Sequence, residues 1–341
     1  MPYLLPRRYR YAHDFSIFLH DLIVAKLRAG MEYGIFSVPV ANTQGRLAVP
    51  AVQGSELYEW IEEKLGSHFT DDLVYRALIK HLVGDFCSFV LEGLRASAKG
   101  KLTVAYALLR KPFKDNLFYL EWLLTDREGF LRRFQTEDVG AIADKKLLTP
   151  AFRLGIISAA IEATGGTTDS QFIYELRYDR KARYGLAGPG DKAIHLITLF
   201  EHIRTADQNF NFVFSGPREW ETQWEHIYRT VPYLLHHAVE VINGLFATIA
   251  TVEEDYARMK EVRRVIGFAA LAGSIDMEGR PTIIDSPILE SSIADNPLFC
   301  PHCTAQLKLH SRNLRAFVIR GTLRCSTCRT EVRADITGKQ S

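Results

Sequence analysis

The chain has 341 residues, of which 47% are hydrophobic and 24% are charged, and its formal net charge is +2. A chain of this composition can bury a large core and need not be disordered, and apart from its C-terminal segment it is long enough for one large domain or two modest ones. No apolar run reaches the ~18–20 residues that a membrane-spanning helix needs. No hydrophobic segment follows the basic residues near the N-terminus, so a signal peptide is not expected. We therefore expect a cytoplasmic protein that has no membrane partner.

Charge is distributed unevenly along the chain. Residues 300–341 contain eight Lys or Arg and two Asp or Glu, so this segment carries +6 whereas the first 299 residues carry −4. A basic module attached to a mildly acidic body favours an acidic partner. RNA or DNA is the commonest such partner, a protein partner also fits, and small basic modules often bind no nucleic acid at all.

Most of the chain up to residue 278 has the 3.6-residue periodicity of amphipathic helices. We therefore predict a mainly α domain with minor β over residues 1–278. The predicted helices run, in chain order, from Asp14 to Ala29, Ser55 to Gly66, Thr70 to Ala98, Leu102 to Leu124, Pro150 to Thr164, Arg218 to Ala250 and Glu253 to Leu271. Residues 35–52 predict a loose β-hairpin because prolines and turn residues interrupt them. Residues 209–214 alternate in polarity and predict a strand.

Three charged residues share one side of the helix predicted from Leu102 to Leu124, which Pro112 should kink. Arg110, Lys114 and Glu121 fall within about 40° of one another at 3.6 residues per turn. A stripe of this kind is most often solvated or salt-bridged. The run Leu108-Leu109-Arg110 with Glu121 downstream resembles bacterial helical proteins of unknown chemistry found among phage-defence genes. That resemblance implies a defence-related role.

Arg229 and His236 lie seven residues apart on one predicted helix, so both point to the same side. A histidine can transfer protons while an arginine neutralises charge that develops on phosphate oxygens. The Arg-x6-His spacing is similar to the motif of the helical HEPN ribonucleases, which implies metal-independent cleavage of RNA. Thr230 and Pro232 depart from that motif, and the same spacing occurs by chance in many helical proteins.

Two Cys-x-x-Cys pairs lie near the C-terminus, formed by Cys300 with Cys303 and by Cys325 with Cys328. Four thiolates at this separation can surround one tetrahedral ion. Soft thiolates favour Zn²⁺, and iron is the lesser alternative. Two disulfides are the rival interpretation, which a reducing compartment disfavours. The fifth cysteine, Cys87, lies in an apolar helical run and is expected to pack as a small hydrophobe.

The cysteine segment resembles a zinc ribbon, in which two knuckles are joined to a small antiparallel sheet. We predict the ribbon over residues 298–341, a linker over residues 279–297, and strands at residues 306–309, 315–320 and 331–334. Ribbon knuckles often have glycine after the second cysteine, where this chain has Thr304 and Arg329. A left-handed backbone there would cost a non-glycine residue about 1 kcal/mol.

Six arginines of the ribbon are candidate nucleic-acid contacts, namely Arg312, Arg315, Arg320, Arg324, Arg329 and Arg333. The sequence therefore favours a zinc-binding, non-catalytic protein that binds nucleic acid or a protein. One alternative is a HEPN-like ribonuclease that uses Arg229 and His236. The other is a protein-interaction scaffold whose ribbon is purely structural.

Overall fold

The computed structural model describes residues 4–37, 55–136, 139–250, 254–272 and 298–333. Within these ranges the α-helices are α1 (Arg10–Glu32), α2 (Ser55–Leu65), α3 (Ser67–Ala98), α4 (Leu102–Lys111), α5 (Leu117–Thr125), α6 (Arg127–Thr136), α7 (Pro150–Ala163), α8 (Ser170–Tyr178), α9 (Ala187–Ile194), α10 (Pro217–Ile249), α11 (Glu254–Ala272) and α12 (Ser311–Arg315). Two short antiparallel strand pairs lie near the C-terminus, β1 (Leu298–Phe299) with β2 (Gln306–Leu307) and β3 (Thr322–Arg324) with β4 (Glu331–Arg333). The predicted mainly α fold with a small C-terminal β element is confirmed.

Two of the predicted segments lie largely outside the described residues. The hairpin expected over residues 35–52 is described only as far as Ser37, and residues 33–37 form a turn and a bend there. The linker expected over residues 279–297 lies entirely outside the described ranges, so the domain boundaries remain a prediction. None of the described helices combines the length and the apolar character that a membrane span requires.

Helix α10 occupies the centre of the helical body. It begins after Gly216 with Pro217 in its first turn, and the Glu219 carboxylate accepts the Gly216 N–H at 2.8 Å. Its fully buried apolar side chains recur every three or four residues, at Ile227, Val231, Leu234, Leu235, Ala238, Ile242 and Leu245. This spacing places them on one broad face. The helix packs against α1 and α5, while α3 packs against α1 and α4.

The helical run from Leu102 to Thr125 contains one π-turn, Pro112–Asn116, at the proline that was expected to kink it. The N–H of Leu117 donates to the carbonyl of Pro112, five residues back, instead of to that of Phe113. The Phe113 carbonyl therefore accepts a hydrogen bond from outside the helix, which Arg177 Nε supplies at 2.7 Å. The local widening of the helix thus creates an acceptor for a buried arginine.

Arg177 belongs to a fully buried charged triad with Glu121 and His237. Arg177 Nη1 lies 2.6 and 2.7 Å from the two Glu121 carboxylate oxygens, and His237 Nε2 donates to Glu121 Oε1 at 2.7 Å. Burial alone would raise the pKa of Glu121, but Arg177 and His237 outweigh it and lower that pKa. The Glu121 carboxylate therefore stays ionised and joins α5, α8 and α10.

We expect Glu121→Gln to lower the free energy of unfolding by about 3–5 kcal/mol, because it leaves a buried arginine without its counter-charge. Denaturant unfolding followed by circular dichroism measures this. The matched control is Glu92→Gln, which breaks an exposed pair with Arg95 and should cost less than about 1 kcal/mol. Folding lowers the pKa of Glu121, so its carboxylate contributes fully to stability when the pH is above the ordinary pKa of glutamate. That contribution to stability is lost as the pH falls through the lowered pKa. Equal stability of Glu121→Gln and wild type at neutral pH would contradict the role of the triad.

The strand predicted at residues 209–214 is wrong, because these residues form a loop with turns. Asn211 donates from its backbone N–H to the Leu196 carbonyl and from its side chain to the His195 carbonyl. Phe212 adopts a left-handed backbone with φ of 62°. These bonds to carbonyls fifteen and sixteen residues earlier take the place of a strand ladder.

The strand predicted at residues 315–320 is also wrong, since this segment is helical. Helix α12 continues into a π-turn over Ala316–Arg320. Leu314, Phe317 and Val318 are buried together. A strand would have placed Phe317 and Val318 on opposite faces. In a helical turn both lie on the same side as Leu314, because they follow it by three and four residues.

This helical turn of the ribbon packs directly on the body, against α1 and α11. Arg263 donates from Nε and Nη2 to the Val318 carbonyl, at 3.1 and 3.0 Å, and its guanidinium lies 4.7 Å from the centre of the Phe18 ring. Arg315 forms an ion pair with Asp14 of α1. The ribbon and the body therefore share one continuous apolar core.

Gly267 of α11 lies directly against Val318 of the ribbon. A Cβ atom at this position would lie 2.4 Å from the Phe15 ring and 2.6 Å from a Val318 methyl group. Both neighbours are fully buried, so neither can move aside cheaply. The absence of a side chain at Gly267 is what allows the ribbon to dock.

We expect Gly267→Ala to lower the free energy of unfolding by about 1–3 kcal/mol through overpacking. The matched control is Gly155→Ala in α7, where a Cβ atom meets nothing within 4 Å. That control should instead gain up to about 1 kcal/mol from helix propensity. Thermal unfolding measures the change in stability of both variants, which should have opposite signs. A Gly267→Ala variant more stable than wild type would show that α11 does not pack closely against Phe15 and Val318.

Candidate metal centre

The two cysteine pairs lie on two knuckles that have the same backbone pattern. In the first, Cys300 N–H donates to the Ala305 carbonyl and Thr304 N–H donates to the Cys300 carbonyl, both at 2.9 Å. In the second, Cys325 N–H donates to Thr330 at 2.9 Å and Arg329 N–H donates to Cys325 at 3.1 Å. Each knuckle follows a strand, β1 or β3, and leads into its partner, β2 or β4.

Thr304 and Arg329 adopt a left-handed backbone, with φ of 58° and 63°, which is unfavourable for residues other than glycine. Each stands directly after the second cysteine of its knuckle, where glycine would be unstrained. The strain of about 1 kcal/mol at each position is tolerated because the turn places its two sulfur atoms on one side. The knuckle geometry of a zinc ribbon is therefore present without its glycines.

The four sulfur atoms converge on one point. All lie within 4.8 Å of one another, and the Sγ–Sγ distances of the pairs Cys300–Cys328 and Cys303–Cys325 are 3.6 Å. Bonds of ~2.3 Å to a tetrahedral zinc ion would place sulfur atoms ~3.8 Å apart. A disulfide requires ~2.05 Å, and all four cysteines are free thiols here. The cluster has the size of a metal site.

The pKa values of three of the thiols are shifted in opposite directions. Backbone N–H groups, first that of Cys328, lower the pKa of Cys325, and hydrogen bonds with Thr330 lower the pKa of Cys328 to about 6. Although the backbone N–H of Ala305 favours the Cys303 thiolate, burial and the neighbouring sulfur atoms raise the pKa of Cys303 to about 12. A bound divalent ion would offset this repulsion.

The six candidate arginines of the ribbon occupy different environments. Arg320, Arg324, Arg329 and Arg333 are exposed. Arg315 is the partner of Asp14 and holds the ribbon to the body. The side chain of Arg312 lies outside the described part of the structure. Their role in binding stays a prediction.

Arg229 and His236 have separate partners on α10. Arg229 is exposed and its Nε lies 3.0 Å from Glu225 Oε1. His236 is buried, stacks on Phe268 with ring centres 3.9 Å apart, and accepts a hydrogen bond from Arg264 Nη1 at 2.6 Å.

Burial, the positive charge of Arg264 and the neighbouring His237 lower the pKa of His236 to about 2. This environment does not favour acid–base chemistry by His236 near neutral pH. Ribonuclease activity by Arg229 and His236 stays a prediction.

Two residues with structural roles were not identified from the sequence. His237, the neighbour of His236, completes the buried triad with Glu121, and Arg263 holds the ribbon carbonyls. The stripe of Arg110, Lys114 and Glu121 was expected to be solvated or salt-bridged, and two of its three residues are salt-bridged. Arg110 pairs with Asp191 and Glu121 pairs with Arg177. Neither partner was identifiable, since both lie more than fifty residues away in sequence.

Comparisons of the chain with protein-family models, with curated proteins and with solved structures find no match.

We expect one zinc ion per chain in protein purified under reducing conditions, and its loss in Cys325→Ser. Structural zinc supplies roughly 10 kcal/mol or more of binding free energy, so the variant ribbon should unfold while the helical circular dichroism of the body persists. The matched control is Cys87→Ala, since Cys87 is buried in α3 away from the cluster and should retain full zinc. Elemental analysis decides the outcome, and metal-free wild type or fully loaded Cys325→Ser would contradict the assignment.

Proposed function

We propose that this is a non-catalytic, zinc-binding protein whose ribbon is a structural part of the helical body and a docking surface for the phosphate backbone of nucleic acid. The observation that carries the proposal is that four arginines of the segment that holds the four-cysteine cluster are exposed. They are Arg320, Arg324, Arg329 and Arg333. Zinc is the proposed ion because four soft thiolates in a tetrahedral set select it.

The β3–β4 hairpin supports this proposal by its alternation of side chains. Leu323 and Val332 are buried opposite each other, so the outer face carries Arg324 and Arg333. Arg329 lies on the knuckle between the two strands, and its carbonyl accepts a hydrogen bond from Arg324 Nε at 3.0 Å. These three arginines therefore lie on one hairpin, where exposed guanidinium groups can contact phosphates.

Glu331, which lies on the same face of the hairpin, weakens the attraction of this surface for phosphates. Glu331 is the register partner of Arg324 across the hairpin. Three or four phosphate contacts are the realistic maximum, since Arg315 is engaged by Asp14. We expect weak binding that does not depend on base sequence.

The second candidate is a protein-interaction scaffold with a purely structural ribbon. The packing of Phe317 and Val318 on α1 and α11 favours it, because that packing gives the ribbon a role in stability that requires no ligand. The two candidates differ only in what the exposed arginines do. Under the second, these arginines keep a small module soluble.

Titration of labelled duplex RNA and DNA at several salt concentrations tests the proposal. We expect a slope of log affinity against log salt of about −3 for wild type, and an affinity at least about tenfold weaker for Arg324→Ala/Arg329→Ala/Arg333→Ala. A charge-matched control is Lys64→Ala/Arg95→Ala/Arg229→Ala, three exposed positions on the body. Equal losses in both triple variants would indicate nonspecific attraction, and no binding by wild type would leave the scaffold function.

A further inference from the structure

A single loop, residues 194–214, presents an unusual number of large apolar side chains to solvent. We call it the apolar loop. Six of its side chains are more than half exposed, namely Leu196, Ile197, Leu199, Phe200, Val213 and Phe214. Monomeric soluble proteins rarely expose contiguous apolar patches larger than a few hundred Å², and larger ones mark interaction sites.

The apolar loop is held in one conformation by buried polar side chains. Thr198 and Asn211 are both more than nine-tenths buried. Thr205 Oγ1 accepts the Thr198 N–H at 2.8 Å and donates to Asn211 Oδ1 at 2.9 Å. Asn211 Nδ2 donates to the His195 carbonyl at 2.8 Å, which closes the two ends of the loop on each other. Satisfied buried networks of this kind specify a single local structure.

The orientation of the exposed side chains is fixed by one strained residue. Phe212 has a left-handed φ of 62°, and its ring packs against Tyr106 of α4 with centres 5.6 Å apart. This backbone turns Phe212 inward and leaves its neighbours Val213 and Phe214 exposed. A left-handed backbone is unfavourable for phenylalanine, so the surrounding hydrogen bonds hold the apolar surface in place against that strain.

The charges of the apolar loop exclude two kinds of partner. Residues 194–214 contain one basic residue, Arg204, and two acidic residues, Glu201 and Asp207. The Arg180 guanidinium lies 4.9 Å from the centre of the Phe200 ring, but Asp191 forms an ion pair with Arg180 at 2.8 Å and so offsets its charge. Anionic lipid surfaces and nucleic acid both select clusters of Lys and Arg. An apolar patch whose margin has both signs instead fits a protein surface.

The size of the patch matches what a dimer of this chain needs. Six large side chains that are each more than half exposed offer several hundred Å² of apolar area, which approaches the ~800 Å² that each partner buries in a standard interface. A two-fold interface joins the same patch on both copies, so it must be complementary to itself. An apolar centre meets this condition, and Arg204 of one copy can face Glu201 or Asp207 of the other.

We propose that the apolar loop is the interface of a two-fold homodimer. This dimer does not depend on nucleic-acid binding by the ribbon, since the loop and the arginine surface share no residue. Sedimentation velocity of the zinc-loaded full chain, from sub-micromolar to tens of micromolar, should show a species of twice the 38.7 kDa chain mass. Leu199→Glu/Phe214→Glu should raise the dimer dissociation constant at least about 100-fold, because it places charges at the centre of the interface.

The matched control is Tyr33→Glu, which lies outside the apolar loop and is 78% exposed, as Leu199 is. It should dimerise as wild type does. Amide exchange of wild type provides a second measurement that needs no variant, since residues 194–214 should lose protection on dilution. The proposal would be overturned if wild type stayed monomeric at every concentration or if the double variant still dimerised. It would also be overturned if amide protection of residues 194–214 did not change with protein concentration.

Discussion

Four sulfur atoms held within 4.8 Å of one another are the constraint on which the C-terminal part of this molecule depends. Although the Ala305 N–H favours the Cys303 thiolate, burial and the neighbouring sulfurs raise the pKa of Cys303 to about 12, so without a cation this thiol favours its neutral form. A divalent cation removes that conflict and makes the strained backbone at Thr304 and Arg329 affordable. The ribbon so formed buries Phe317 and Val318 on the helical body. We therefore expect metal binding to be coupled to the packing of the ribbon on α1 and α11.

Much of the architecture could be predicted because it is recorded locally in the sequence. The apolar spacing of the long helices appears in their buried faces, and Thr149 caps α7 by accepting the Phe152 N–H, with Pro150 in the first turn. The cysteine spacing predicted the metal cluster, since Cys-x-x-Cys turns bring their sulfurs together by local geometry. The position of Pro112 predicted a distortion, which the structure shows to be a π-turn.

What could not be predicted depends on contacts between distant residues. The segment 315–320 has β-branched and aromatic residues typical of a strand, but the surfaces of α1 and α11 select the helical turn that buries Phe317 and Val318 together. The apolar alternation at residues 209–214 was misleading because Asn211 bonds to carbonyls fifteen and sixteen residues earlier. The partner of Glu121 is more remote still, at 56 residues, so helical spacing could place that carboxylate on a face but could not identify Arg177.

The coupling between the metal cluster and the body is the central claim, and hydrogen exchange with and without a zinc chelator tests it most directly. We expect zinc removal to abolish amide protection over residues 298–333 and to reduce it in the facing turns of α11 near Gly267 and of α1 near Phe15. Protection in α7 and α8, which do not touch the ribbon turn, should stay unchanged. Loss of protection confined to the ribbon, or protection that does not respond to the metal, would contradict the account.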